Sequence, residues 1–155
     1  MAVYKLQLDD FNTMEYELIG IHTSIEVNKL AFLLNQNLPV KFSFFDQIDK
    51  KDKHQKGIFE RYLYEDEDRE ISWNLIENKC IINESSTNAS LFNQFETVMY
   101  LVPEYKNVDY ILKIDTDDDW IDFDEILHEI SKIKTIAMSY KIDKDKIKTI
   151  SNLIF

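Results

Sequence analysis

Residues 115–125, Asp-Thr-Asp-Asp-Asp-Trp-Ile-Asp-Phe-Asp-Glu, hold the densest set of potential metal ligands in the chain. Clustered carboxylates attract hard cations, so a calcium loop is the first chemistry to test. With Asp115, Asp117 and Asp119 at loop positions one, three and five, position six needs glycine and position twelve needs glutamate. Those positions hold Trp120 and Ile126. The EF-hand pattern therefore fails at two essential places. The simpler reading is an acidic helix N-terminus favoured by the helix dipole, with Asp119 or Asp122 as the cap. A weak cation site of another type is the alternative; no metal and no cofactor is expected.

Other reactive residues are sparse. Glu104 and Asp109 flank a tight turn and could share acid–base work if their environments pushed their pKa values apart. The sequence offers no adjacent nucleophile or base. Glu104 is equally suited to accept turn amides or pair with Lys106, and Asp109 to pin a strand register. His22, His54 and His128 are scattered; His128 shares a helix face with Asp124, with no second histidine at ligand spacing. His22 precedes a helix start, where it could orient a substrate or bond the backbone, and the structural role is expected. Cys80 is the single cysteine, so it forms no internal disulfide or Cys-based zinc site. It is expected to be buried and inert. Trp73, Trp120, Tyr62, Tyr64 and Tyr105 suit either a core or a protein interface. As a functional hint they need no missing catalytic partner.

Composition narrows the classes further. The chain has 155 residues, 45% of them apolar, with ten Phe and eight Tyr, enough for one core and one domain, residues 1–155. Its net charge of −11 opposes nucleic-acid binding, because affinity for phosphate backbones comes from neutralising them. Two Gly and two Pro leave no glycine-rich phosphate loop. No apolar run reaches membrane-spanning length, and the first ten residues lack a signal-peptide layout. A cytoplasmic location without membrane contact is expected.

These side chains must be positioned by a set of elements. Alternation predicts strands over 2–8 (Tyr4, Leu6 and Leu8 on one face), 16–22 and 40–45 (Val40, Phe42 and Phe44 on one face). Thr23-Ser24-Ile25-Glu26 resembles a capping box ahead of a helix with Val27, Leu30, Ala31 and Leu34 on its buried face. Residues 46–57 read as a polar loop. A hairpin follows, with arms 58–65 and 70–78, the second alternating Ile71, Trp73 and Leu75 with Ser72 and Asn74; Cys80–Ile82 would extend that arm. Residues 83–93 read as a loop and 97–102 as a strand ended by Pro103. Val108, Tyr110, Leu112 and Ile114 share one face of a strand over 108–115, and Ile111 on the other face implies cover on both sides. A helix bearing Phe123, Ile126, Leu127 and Ile130 and a strand over 135–142 complete a second strand–helix–strand unit. The apolar tail, Leu153-Ile154-Phe155, is expected to dock on the core. The expected architecture is a single α+β domain, a mostly antiparallel sheet of about six or seven strands with two main helices on one face.

Val102-Pro103-Glu104, three residues, then Val108-Asp109-Tyr110 resembles the signature of the bacterial IPExxxVDY family, with Val102 where the family name has Ile. Gly20-Ile21-His22-Thr23-Ser24, Leu30-Ala31, Leu34-Asn35 and the ending Asn152-Leu153-Ile154-Phe155 extend the resemblance over nearly the whole chain. The resemblance implies a Bacteroidetes-type bacterial source and brings no assigned activity. Two functions are carried forward. The first is a non-catalytic protein-interaction or regulatory module with a protein partner or a second copy of itself. The alternative is an enzyme or small-ligand binder using a cleft near the 102–110 turn. His22, Pro103, Glu104, Asp109 and Tyr110 are the candidate ligand- or partner-binding residues.

Overall fold

A computed structural model describes residues 15–53, 55–85, 94–117 and 121–155. The strand expected over 2–8, most of the 83–93 loop, His54 and Trp120 lie outside them. Eight strands and two α-helices are present among the described residues: β1 (Tyr16–Thr23), α1 (Val27–Asn37), β2 (Ser43–Asp52), β3 (Gln55–Asp66), β4 (Ile71–Glu77), β5 (Lys79–Ser85), β6 (Gln94–Tyr100), β7 (Tyr110–Asp115), α2 (Phe123–Ser131) and β8 (Ile136–Lys141). Six strands form an antiparallel sheet in the order β2-β3-β4-β7-β1-β8, and β5 pairs with β6 in a second sheet. The expected α+β class, antiparallel sheet and two helices are what the chain adopts. β7 and β8 both run antiparallel to β1, so they are parallel to each other with β1 between them, and α2 makes the crossover.

Both helices cover the same face of the large sheet. Val27, Leu30, Ala31 and Leu34 of α1 and Ile126 and Ile130 of α2 bury against Ile19, Ile21, Trp73, Leu75, Leu112 and Ile114. Each of the Val, Leu and Ile side chains contributes roughly 1.5–3 kcal/mol when fully buried. Helix α1 ends at Asn37 because Pro39 forces Leu38 into an extended conformation (φ −122°, ψ 156°). The Asn35 amide then clamps the returning chain, accepting from the Phe42 amide at 2.7 Å and donating to the Phe42 carbonyl at 3.0 Å. The expected capping box does not form. Glu26 takes the N-cap position without a side-chain hydrogen bond, and Thr23 belongs to β1, its hydroxyl donating to the Thr135 carbonyl at 2.7 Å. Asp122 does cap α2, accepting from the Glu125 amide.

The opposite face has a second core: Leu18, Phe59, Ile76 and Ile111 of the large sheet meet Met99, Leu101, Val102, Val108, Ile142, Ile147 and Leu153. Val108 thus packs on this face, not with Tyr110, Leu112 and Ile114. The chain's two glycines lie beneath this cover. A Cβ on Gly57 would stand 2.5 Å from Met99 Sδ, and one on Gly20 3.0 Å from Val108 Cγ2. Of the apolar tail, Leu153 is buried here, whereas Ile154 is 74% exposed.

Several segments differ from the sequence expectation; residues 83–85, read as the start of a loop, are the end of β5. Residues 46–52 and 55–57 are strand, not loop: β2 continues to Asp52 and pairs with β3 until Asp52↔Gln55, beside Lys53 at φ 48°. An edge strand needs only backbone partners, and its side chains here are largely exposed, so no apolar period marks it. Cys80–Ile82 does not extend β4; after Asn78 the chain leaves the large sheet and pairs with β6.

Candidate functional site

The 102–110 segment is held by a residue outside it. Asn78, fully buried at the joint between β4 and β5, donates from Nδ2 to the carbonyls of Tyr105 (2.9 Å) and Val108 (2.8 Å). Its Oδ1 accepts from the Val102 amide at 2.8 Å. Its backbone amide donates to the Asp109 carbonyl, and its carbonyl accepts from the Leu101 amide. Every donor and acceptor of this asparagine is used on the turn. Pro103 opens a short 3-10 turn, Pro103–Tyr105, where its missing amide costs nothing.

The other motif residues are also committed. Glu104 Oε1 accepts from the Lys148 and Thr149 amides, both at 2.9 Å, and Oε2 from the Thr149 hydroxyl at 2.8 Å. Partial desolvation pushes the Glu104 carboxyl up. The Thr149 hydroxyl bond and backbone amides, its own among them, outweigh that and hold it below the usual glutamate range. Asp109 Oδ2 accepts from the Thr23 amide at 2.9 Å while Oδ1 pairs with Lys79 at 2.8 Å. The Tyr110 hydroxyl donates to the Ile25 carbonyl at 2.6 Å. Burial, then the negative charges of Glu77, Asp109, Glu26 and Glu60, raise its pKa far above the ordinary tyrosine value. His22 contacts Tyr140, Nε2 to hydroxyl 3.1 Å, with tilted rings.

The Ile21↔Tyr110 pair sets His22 and Asp109 at the same end of the β1–β7 ladder. Their side chains have separate partners there, and Glu104 is turned to the C-terminal tail. His22, Pro103, Glu104 and Asp109 line none of three surface cavities. Cys80 is half-buried against the second core, and His128 is exposed. Among the described residues no group of three His, Cys, Asp or Glu side chains could hold a metal ion. No described helix is long and apolar enough to cross a membrane.

On the helix-covered side, a cavity of about 460 Å³ opens between the end of α1, the β3–β4 turn and α2. Its walls include Leu38, Tyr64, Ile71, Trp73, Ile121 and Ile126. Among the described residues, five carboxylates ring it, Asp66, Asp68, Asp122, Glu125 and Glu129, against one cation, Arg69. A smaller hollow lies at the start of α1, where Glu26, Glu60 and Glu77 meet Tyr62 and Tyr110. Burial raises the Glu77 carboxyl; the Glu60 amide, 2.8 Å from Glu77 Oε1, opposes this, and the Glu60 charge adds to it.

The third cavity, about 850 Å³, is on the opposite face and is built by strand register. The pairs Leu63↔Asn74↔Lys113 form one row across β3, β4 and β7, and Glu65↔Ser72↔Asp115 form the next. Arg61 is 8% exposed; its Nε and Nη2 donate to Asp46 Oδ1 and Oδ2, both at 2.7 Å. Its guanidinium also stacks on the Phe45 and Phe155 rings. Lys113 pairs with Asp115 at 3.0 Å and lies over Tyr16 and Phe155. Asn74, 4% exposed, lines this cavity, and its Oδ1 has no hydrogen-bond partner.

Sequence reasoning missed Asn78, Asn74, Arg61 and Lys113. One signal was present. A strand covered on both sides that carries Lys113 and Asp115 at alternate positions must bury charge on one face. No family model, no curated protein and no solved structure matches this chain.

Proposed function

We propose that this chain is a non-catalytic protein-interaction module of the cytoplasm that holds a basic, apolar segment of a partner protein. The carrying observation is the cavity floored by Trp73, Tyr64, Ile71 and Ile126 and ringed by five carboxylates. An apolar aromatic floor rewards burial of a partner's apolar side chains, and the acidic rim steers and orients its cations. The commitment of Glu104, Asp109 and Tyr110 to backbone and ion-pair partners supports a scaffolding role for the 102–110 turn over a reaction cleft. Placement in the IPExxxVDY family is part of the same proposal and rests on the residues quoted above.

A fluorescein-labelled amphipathic Lys/Leu peptide, with a Glu/Leu peptide of the same pattern as control, tests this reading by anisotropy. The basic peptide should bind and the acidic one should not. Replacing exposed Asp68 and Glu125 together by Lys should weaken binding at least about tenfold. Equal binding of both peptides, or an unchanged affinity in the double variant, would contradict it.

A further inference from the structure

A buried acceptor without a partner is rare in folded proteins and calls for an explanation. Asn74 Oδ1 is such an acceptor, and it belongs to a residue that lines the register-built cavity. Beside it, Arg61 and Lys113 are almost withdrawn from solvent, with side chains 10% and 12% exposed. The Asp46 fork uses Arg61 Nε and Nη2 and leaves Nη1 outside both bonds. The inner wall therefore carries Arg61 Nη1, outside the Asp46 fork, and the Lys113 ammonium, which also pairs with Asp115, with one orphaned acceptor withdrawn just behind the surface. The mouth is different: Glu65, Glu67 and Glu70 are exposed there.

A simple anion would meet the inner donors but would face, among the described residues, a lining of five carboxylates against two cations. A simple cation would suit the mouth and leave the inner donors unmet. A molecule with an anionic end, a cationic end and N–H donors satisfies all three features. Phe45, Leu63 and Phe155 supply apolar wall for a side chain. We propose that this cavity binds a small zwitterion of the amino-acid or short-peptide class, its carboxylate toward Arg61 and Lys113, its ammonium toward Glu65 and Glu67, with the Asn74 amide turning toward the ligand so that Oδ1 accepts an N–H from it.

The experiment is an NMR titration of the full ¹⁵N-labelled chain, following the Asn74 side-chain amide. L-leucine and the dipeptide Leu-Leu are the two zwitterionic probes. 3-Methylbutylamine, which lacks the carboxylate, and 4-methylpentanoate, which lacks the ammonium, are the controls. At least one zwitterion should shift the Asn74 amide saturably, with both controls about tenfold weaker or worse. A response to leucine assigns the free amino acid, and a response to Leu-Leu alone assigns the peptide. Asn74→Leu should abolish binding, read from the backbone amides of Leu63 and Lys113. Because that variant alters a buried site, the exposed pair Glu65→Gln and Glu67→Gln provides a second reading, expected to weaken binding about tenfold without changing the circular dichroism spectrum. No saturable shift with either zwitterion, a control binding as tightly, or unchanged affinity in the variants would overturn the assignment.

Discussion

Asn78 and Asn74 lie four residues apart at one end and in the middle of the same strand segment, and both are withdrawn from solvent. Asn78 uses its whole amide, two carbonyls on Nδ2 and one backbone amide on Oδ1. Asn74 leaves its Oδ1 without a partner beside a large cavity. The same residue type at similar burial thus does opposite things. One closes the covered half of the sheet face, where the 101–109 segment and the tail complete a core. The other lies between Leu63 and Lys113 in the ladder, at the wall of the cavity on the same face. A satisfied buried amide stabilises, while an orphaned one costs stability and persists where something other than the fold uses it.

Breaking the satisfied member should have the largest effect. Asn78→Ala leaves the Tyr105 and Val108 carbonyls and the Val102 amide without partners, and a loss of about 3–4 kcal/mol in urea denaturation is expected. The loss should disorder the motif turn first, seen as faster hydrogen exchange at Val102 and Val108 than in β4.

A smaller effect, with a definite pH sign, belongs to Glu104 on the outer side of the same turn. Its folded-state pKa is depressed, so its stabilisation is present above the ordinary glutamate range and is lost as pH falls through the lowered folded value. Glu104 is exposed, and solvent screening keeps the contribution small. Wild type should melt slightly above Glu104→Gln at pH 7, and the two melting curves should converge toward pH 3.

Much of the fold was legible. The i, i+3, i+4, i+7 apolar spacing of Val27, Leu30, Ala31 and Leu34 located α1, and the two-sided cover of 108–115 located the central strand β7. The β2 extension was not legible, because an exposed edge strand such as Gln47–Asp52 is held by backbone bonds that leave no side-chain period. The capping box failed because Thr23 is drawn into β1 and its hydroxyl into a long-range bond to Thr135, a tertiary contact that no local pattern encodes. The candidate residues of the 102–110 motif were legible as a special turn, but the residue that holds it, Asn78, is remote in sequence. The cavity on the second face depends on register across three strands, Leu63 to Asn74 to Lys113, and register is a property of pairing that single strands do not display.

The most direct test is the stability of Asn74→Leu, measured by urea denaturation beside wild type. If Asn74 is retained for binding, an apolar side chain of similar size removes an orphaned acceptor, and stability should be unchanged or higher by about 1 kcal/mol. A loss of about 2 kcal/mol or more would show that Asn74, like Asn78, serves the fold, and would contradict the distinction between the two halves of the sheet.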